Sequence, residues 1–232
     1  MKNNQSGRSM VEMLGVLAII GVLSAGGLAG YSKAMFKHKL NSTMDQLTML
    51  VTNIRTMYGT QESYKGLNNV SAVALGIVPS QMIADQKAAV AAQAAVGVEG
   101  DDDYKPAVAA QDASAKLVNP FKGEVVLSTS EAKSGLSIKS AFVVTYEGLP
   151  KEACVTIATS DWGTGAGSGF IAATVNDKGG EAVNGATIPD DIGSAYSGDV
   201  GGTAVYEGSP MSVGAALTNC SSEANTVKLK FY

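Results

Sequence analysis

Residue types able to do chemistry are few in this chain of 232 residues, and they are widely spread. One histidine, His38, stands between Lys37 and Lys39. A single imidazole supplies neither the paired ligands of an HExxH zinc site nor a triad partner beside a recognisable nucleophile. Here it reads as a polar residue at the edge of an apolar segment. Asp101, Asp102 and Asp103 offer oxygen ligands, but they lack the alternating spacing and closing glutamate of an EF-hand loop, so a solvated turn is the simpler reading. The tract GTGAGSG at 163–169 has the glycine content of a phosphate loop. It has neither the Lys-Ser/Thr ending nor a strand–turn–helix setting, and its glycines fit turns. No active site, metal site or cofactor follows from these residues. Two features stay unexplained by that survey: Glu12, beside a long apolar run, and the cysteines Cys154 and Cys220.

The elements that would position them set the next constraint. From 13 to 32 no residue is charged. Twenty residues at about 1.5 Å each give roughly 30 Å of helix, the thickness of a bilayer core. A secretory signal would have a shorter apolar region, although LSAGGLAG passes for its small-residue cleavage site. A buried soluble helix is disfavoured by Gly15, Gly21, Gly26, Gly27 and Gly30, which weaken a helix in water but permit close helix approach in a membrane. A membrane span is the better reading. Lys2 and Arg8 precede it, while Lys33, Lys37 and Lys39 follow, so the positive-inside tally alone puts the C-terminal side in the cytoplasm. The cysteines leave two readings open, free thiols in a reducing compartment or one disulfide in an exported chain.

A carboxylate in a membrane costs roughly 2.5–3.5 kcal/mol on insertion scales and is normally functional. Five residues before Glu12 stands Gly7, followed by Arg8. Gly-x-x-x-x-Glu ahead of a long apolar helix resembles the class III signal of type IV pilins and pseudopilins. The resemblance implies cleavage between Gly7 and Arg8 by a prepilin peptidase, a leader at 1–7, and methylation of the new amine of Arg8. Arg8 stands where that family usually has Phe, Met, Leu or Trp. The implied role of Glu12 is assembly: a carboxylate and a cationic N-terminus attract most strongly in a low-dielectric filament core.

Past the span the helix is expected to continue. Phe36, Leu40, Met44, Leu47, Val51, Ile54 and Tyr58 recur at spacings of four and three, a single apolar stripe, and Gly59 is a plausible stop. The predicted helix covers 8–58, with 13–32 in the membrane. A coiled coil would need more heptads and better charge pairing. Residues 59–118 read as an alanine-rich loop region in which AVAAQ occurs twice. Strands are expected in EVVLST, IKSAFVVTY, GFIAATV, GTAVYEG and TVKLKFY, and a short helix in LPKEACVTIATSDW with Pro150 near its start. In the last strand Val227, Leu229 and Phe231 alternate with Lys228 and Lys230, as in a half-buried antiparallel strand. The expected fold class is therefore α+β, a long N-terminal helix packed on a C-terminal antiparallel sheet at 119–232.

LVNPFKGEVVLS, YEGLPKEACVTIATSDWG and the late second cysteine resemble the toxin-coregulated-pilin and conjugation-pilin (type IVb) group, whose leaders are usually longer. That resemblance implies a Cys154–Cys220 disulfide bounding the region 154–220, exposed on the filament. Closing such a loop stabilises by roughly 4 kcal/mol on chain-entropy estimates. The net charge of −4 and the 16% charged content speak against nucleic acid as a partner. The function implied is a structural pilin, not an enzyme: an inner-membrane precursor that passes to an assembly platform and enters an extracellular helical homopolymer. Alternatives are a type II secretion pseudopilin, a minor pilin or adhesin, and a non-polymerising membrane-anchored binding protein. Adhesion, conjugation, aggregation and motility are not distinguished by these residues.

Overall fold

A computed structural model describes residues 10–61, 63–85, 115–130, 141–163, 169–176 and 211–232. Gly7, Arg8, the aspartates at 101–103, the AVAAQ copies, most of the 163–169 tract and the expected strand GTAVYEG lie outside them. The chain divides into two compact units, 1–42 and 43–232.

Helix α1 runs Met10–Tyr58, with Glu12 in its first turn and Arg55 in its last. In the second unit its stripe is buried: Leu47, Leu50 and Ile54 are fully covered, Val51 and Tyr58 nearly so. Leu50 belongs to the same face although the spacing pattern passed it over. The opposite face carries Thr48, Thr52 and Thr56, whose hydroxyls each donate to the carbonyl one turn back at 2.8–2.9 Å.

The region expected as loop is partly ordered structure. Helix α2 (Asn69–Ala74) starts with a capping box, in which Asn68 accepts from the Ser71 amide and Ser71 accepts from the Asn68 amide. A 3-10 turn follows at Ser80–Met82. Val70, Ala72, Val73, Ile77 and Met82 are buried, which is what holds so short a helix in place.

Among the described residues the sheet has five strands: β1 (Leu117–Val118), β2 (Glu124–Ser130), β3 (Ala141–Leu149), β4 (Phe170–Val175) and β5 (Asn225–Phe231). Their order is β1-β2-β3-β5-β4, and neighbouring strands pair antiparallel. Register sets Val144 against Leu127 on one side and Leu229 on the other. Phe142 stacks on Phe231 at 5.6 Å and meets Tyr64 at 4.8 Å, while Phe170 meets Phe231 edge-on at 5.5 Å. Burial of β5 departs from the expected alternation. Val227, Leu229 and Phe231 are buried as the pattern requires, but Lys230 is fully buried as well.

Two further short helices stand among the described residues of the second unit. Helix α3 (Lys151–Thr159) begins after Pro150, and α4 (Val213–Asn219) is capped by Ser212, which accepts from the Ala215 amide at 3.3 Å. On α3, Ala153, Cys154, Ile157 and Ala158 fall on one face and are buried. Trp162 returns its indole N–H to the Ile157 carbonyl at 3.0 Å and closes the end of that helix.

Candidate assembly helix and disulfide-bounded region

The site residues named above separate into two groups. Gly7 and Arg8 lie outside the described residues. Glu12 is exposed in the first turn of α1, where a carboxylate suits the positive end of the helix dipole. Around it the helix surface is apolar and uncovered: Met10, Val11, Leu14, Leu17, Ile19, Ile20, Val22, Leu23 and Leu28 are all more than half exposed. An 18-residue window of α1 has a mean hydropathy of 2.1 with none of it buried, long and apolar enough to cross a membrane.

The glycines of this segment sharpen the point. At Gly15, Gly21, Gly26, Gly27 and Gly30 no atom outside the helix's own backbone lies within 4 Å of where a Cβ would stand. Each costs about 1 kcal/mol of helix propensity relative to alanine. Among the described residues nothing asks for that cost.

The second group is the cysteine pair. Cys154 on α3 and Cys220 at the end of α4 are joined by a disulfide, Cα–Cα 5.9 Å, across 66 positions of sequence. Both are fully buried. The Met211 amide donates to the Ala158 carbonyl at 3.0 Å, tying the segment that leads into α4 to the end of α3.

Several asparagines hold this region, and the sequence reading missed them. Buried Asn225 fills all its bonding positions: it donates to the carbonyls of Leu149 and Ser222 and accepts from Asn176 and the Ser222 amide. Asn176 also donates to the Asn219 carbonyl, beside Cys220, and accepts from the Thr226 amide. Asn69 grips β2 like a short strand, donating to the Val125 carbonyl at 3.0 Å and accepting from the Leu127 amide at 2.8 Å. Asn119 builds the NPFKG turn by accepting from the amides of Phe121 and Gly123, while its Nδ2 donates to the Glu147 carbonyl. Asparagine before a Pro or Gly was a visible turn signal. Asn69 and Asn225 stand before neither Pro nor Gly, and the strand carbonyls they grip, those of Val125 and Leu149, are 56 and 76 positions away.

Charge in this unit is shaped by burial. Desolvation raises the tyrosine pKa at Tyr58, Tyr64 and Tyr146, and it lowers that of Arg55, which Tyr64 partly offsets. Among the described residues no cluster of three or more His, Cys, Asp or Glu could hold a metal ion.

A long N-terminal helix whose second part packs on an antiparallel sheet, with a disulfide-bounded C-terminal region, defines the type IV pilin class. A model of the family described as Bundlin matches residues 33–231. The chain belongs to that family, within the type IVb group of pilins. The match begins at Lys33 and so does not include Gly7, Arg8 or Glu12. Similar chains include the major structural subunit of bundle-forming pilus of Escherichia coli O127:H6, 24% identical over 71% of this chain and 69% of that one. The toxin coregulated pilin of Vibrio cholerae is 25% identical over 94% of this chain and 82% of the other. Among solved structures, a type IV b pilin from Salmonella typhi overlaps 82% of this chain and 97% of its own, with 18% identity and a TM-score of 0.43.

Proposed function

We propose that this chain is the major structural subunit of an extracellular type IV filament. It waits in the inner membrane through the apolar part of α1, is cut between Gly7 and Arg8 by a prepilin peptidase, and is passed by an assembly platform into a helical homopolymer. The observation that carries this reading is the unburied apolar surface of α1, together with glycines that no contact among the described residues requires. Relatives named as a major structural subunit support the major over the minor role.

Glu12 has a defined part in this reading. Its carboxylate meets the cationic N-terminus, in the same subunit or a neighbour, and sets the register of assembly. In a low-dielectric surrounding that pairing relieves what would otherwise be an isolated buried charge. Glu12→Ala therefore leaves the chain inserted in the membrane but removes the filament from the cell surface. For a simple anchor the same substitution would improve insertion by about 2 kcal/mol or more and change nothing else. Sheared surface protein against membrane-fraction protein, measured on one blot, separates the two.

A further inference from the structure

The buried stripe of α1 fixes how close the helix lies to the sheet, but apolar contact is non-directional and leaves rotation about the helix axis weakly specified. Two polar side chains next to that stripe supply direction. Asn53 Nδ2 donates to the Ile77 carbonyl at 2.7 Å. Arg55 Nε donates to the Tyr232 carbonyl at 3.1 Å, with its guanidinium carbon 5.3 Å from the centre of the Phe231 ring. Two residues apart on a helix is roughly 200°, so these bonds leave α1 from opposite flanks, with Ile54 between them in the core.

We infer that Asn53 and Arg55 fix the rotational register of α1, over its part within the second unit, against the rest of that unit, and so select which exposed residues of that part meet neighbouring subunits during assembly. The second clause rests on the filament reading above; the first does not. A rotation of about 20° moves a side-chain tip at the helix surface by roughly 2 Å, enough to break either bond, and the opposed placement resists both senses of turn. A turn at 53–55 carries with it the exposed Thr48, Thr52 and Thr56 of the same unit.

The surroundings of Arg55 fit a directional role better than a purely stabilising one. Its Nη2 is buried without a hydrogen-bond partner. Gly169, at φ +70°, has no Cβ, and one built there would collide with the guanidinium. The Gly169 carbonyl in turn accepts from the Tyr232 amide at 2.7 Å, so the Arg55 acceptor is itself held in place. A partly desolvated cation with an orphaned donor is a poorer source of stability than an apolar residue of similar size. What it adds is a fixed direction.

The native methionines report the register in the full chain. Met49 and Met57 are half exposed, Met44 is half-buried with its Sδ 3.9 Å from the Ser160 hydroxyl, and Met82 is fully buried. Peroxide footprinting of the purified full-length chain in detergent compares the native protein with the double variant Asn53→Leu/Arg55→Met. The inference expects oxidation at Met44 to rise by about fivefold or more in the variant while Met82 stays protected. A Met44 rate within about twofold of native, with Met82 protected, would overturn it. If Met82 oxidises as fast as Met49, the double variant has unfolded, and the single variants carry the same comparison. Filaments sheared from cells test the second clause: the double variant should fall by about tenfold, and Arg55→Lys alone, which keeps a donor, should stay near native. Native filament yield despite a changed footprint would remove the link to assembly. If the native chain itself makes no filament, the filament reading falls, and the footprint still decides the register.

Discussion

At the scale of single residues, the most demanding positions are ones where a backbone or a hydroxyl has nowhere to go. The NPFKG turn brings Gly123 against the Glu147 carbonyl, so a Cβ at Gly123 would overlap it, and a Cβ on Gly148, at φ +66°, would stand only 2.9 Å from the Gly123 Cα. Gly123→Ala should cost about 2–4 kcal/mol, seen as a lower midpoint in denaturant, because backbone must move to admit the methyl. Tyr146 is the opposite case. Its ring is fully buried and its hydroxyl has no hydrogen-bond partner. Tyr146→Phe should be neutral or stabilising by about 1 kcal/mol. Burial raises the pKa of Tyr146 above its ordinary value of 10.0, so the folded state disfavours the tyrosinate. The stability this represents is complete below the unfolded pKa and declines as pH rises beyond about 10. The part of the tyrosinate absorbance that Tyr146→Phe removes should therefore appear together with unfolding, and Tyr146→Phe should move that alkaline transition upward. That part appearing early, without loss of structure, would contradict the burial.

At the scale of elements, what was legible depended on length and period. Helix α1 was readable because Leu47, Val51, Ile54 and Tyr58 repeat at helical spacing and Gly59 follows the last turn. Strand β5 was readable from Val227, Leu229 and Phe231, and α3 from Pro150 and the apolar set behind it. Helices α2 and α4 have six and seven residues, too few for periodicity, and β1 has two. The capping pair Asn68–Ser71 was the one local signal for α2. Lys230 escaped for a different reason: alternation assigns a face, not what covers it. The disulfide entered through family resemblance and not through spacing, because 66 positions separate the cysteines and only the packing of α3 on α4 brings them together. Replacing both cysteines with serine should lower stability by roughly 4 kcal/mol in a reversible melt. Since both sulfurs are buried, reductant added to the folded protein should act slowly until the chain opens. Rapid reduction under native conditions would mean the α3–α4 contact opens freely.

For the whole molecule, the division of labour follows from which surfaces the chain satisfies by itself. The second unit covers its own core, from Leu47 to Phe231, with asparagines completing the backbone bonds that strands alone leave open. The apolar surface around Leu14, Ile19 and Leu23 is left uncovered, and the intervening glycines answer no contact among the described residues. The sequence carried this asymmetry plainly, as an uncharged run followed by an amphipathic one. The proposed cleavage between Gly7 and Arg8 rests only on their spacing to Glu12. The central claim is that the chain leaves the membrane as a processed filament subunit. Mass spectrometry of the N-terminal peptide from protein sheared off the cell surface tests it most directly. The account predicts a peptide beginning at Arg8, with a methyl group on its new amine. Chains beginning only at Met1 and confined to the membrane fraction would contradict it, and would leave α1 as an anchor.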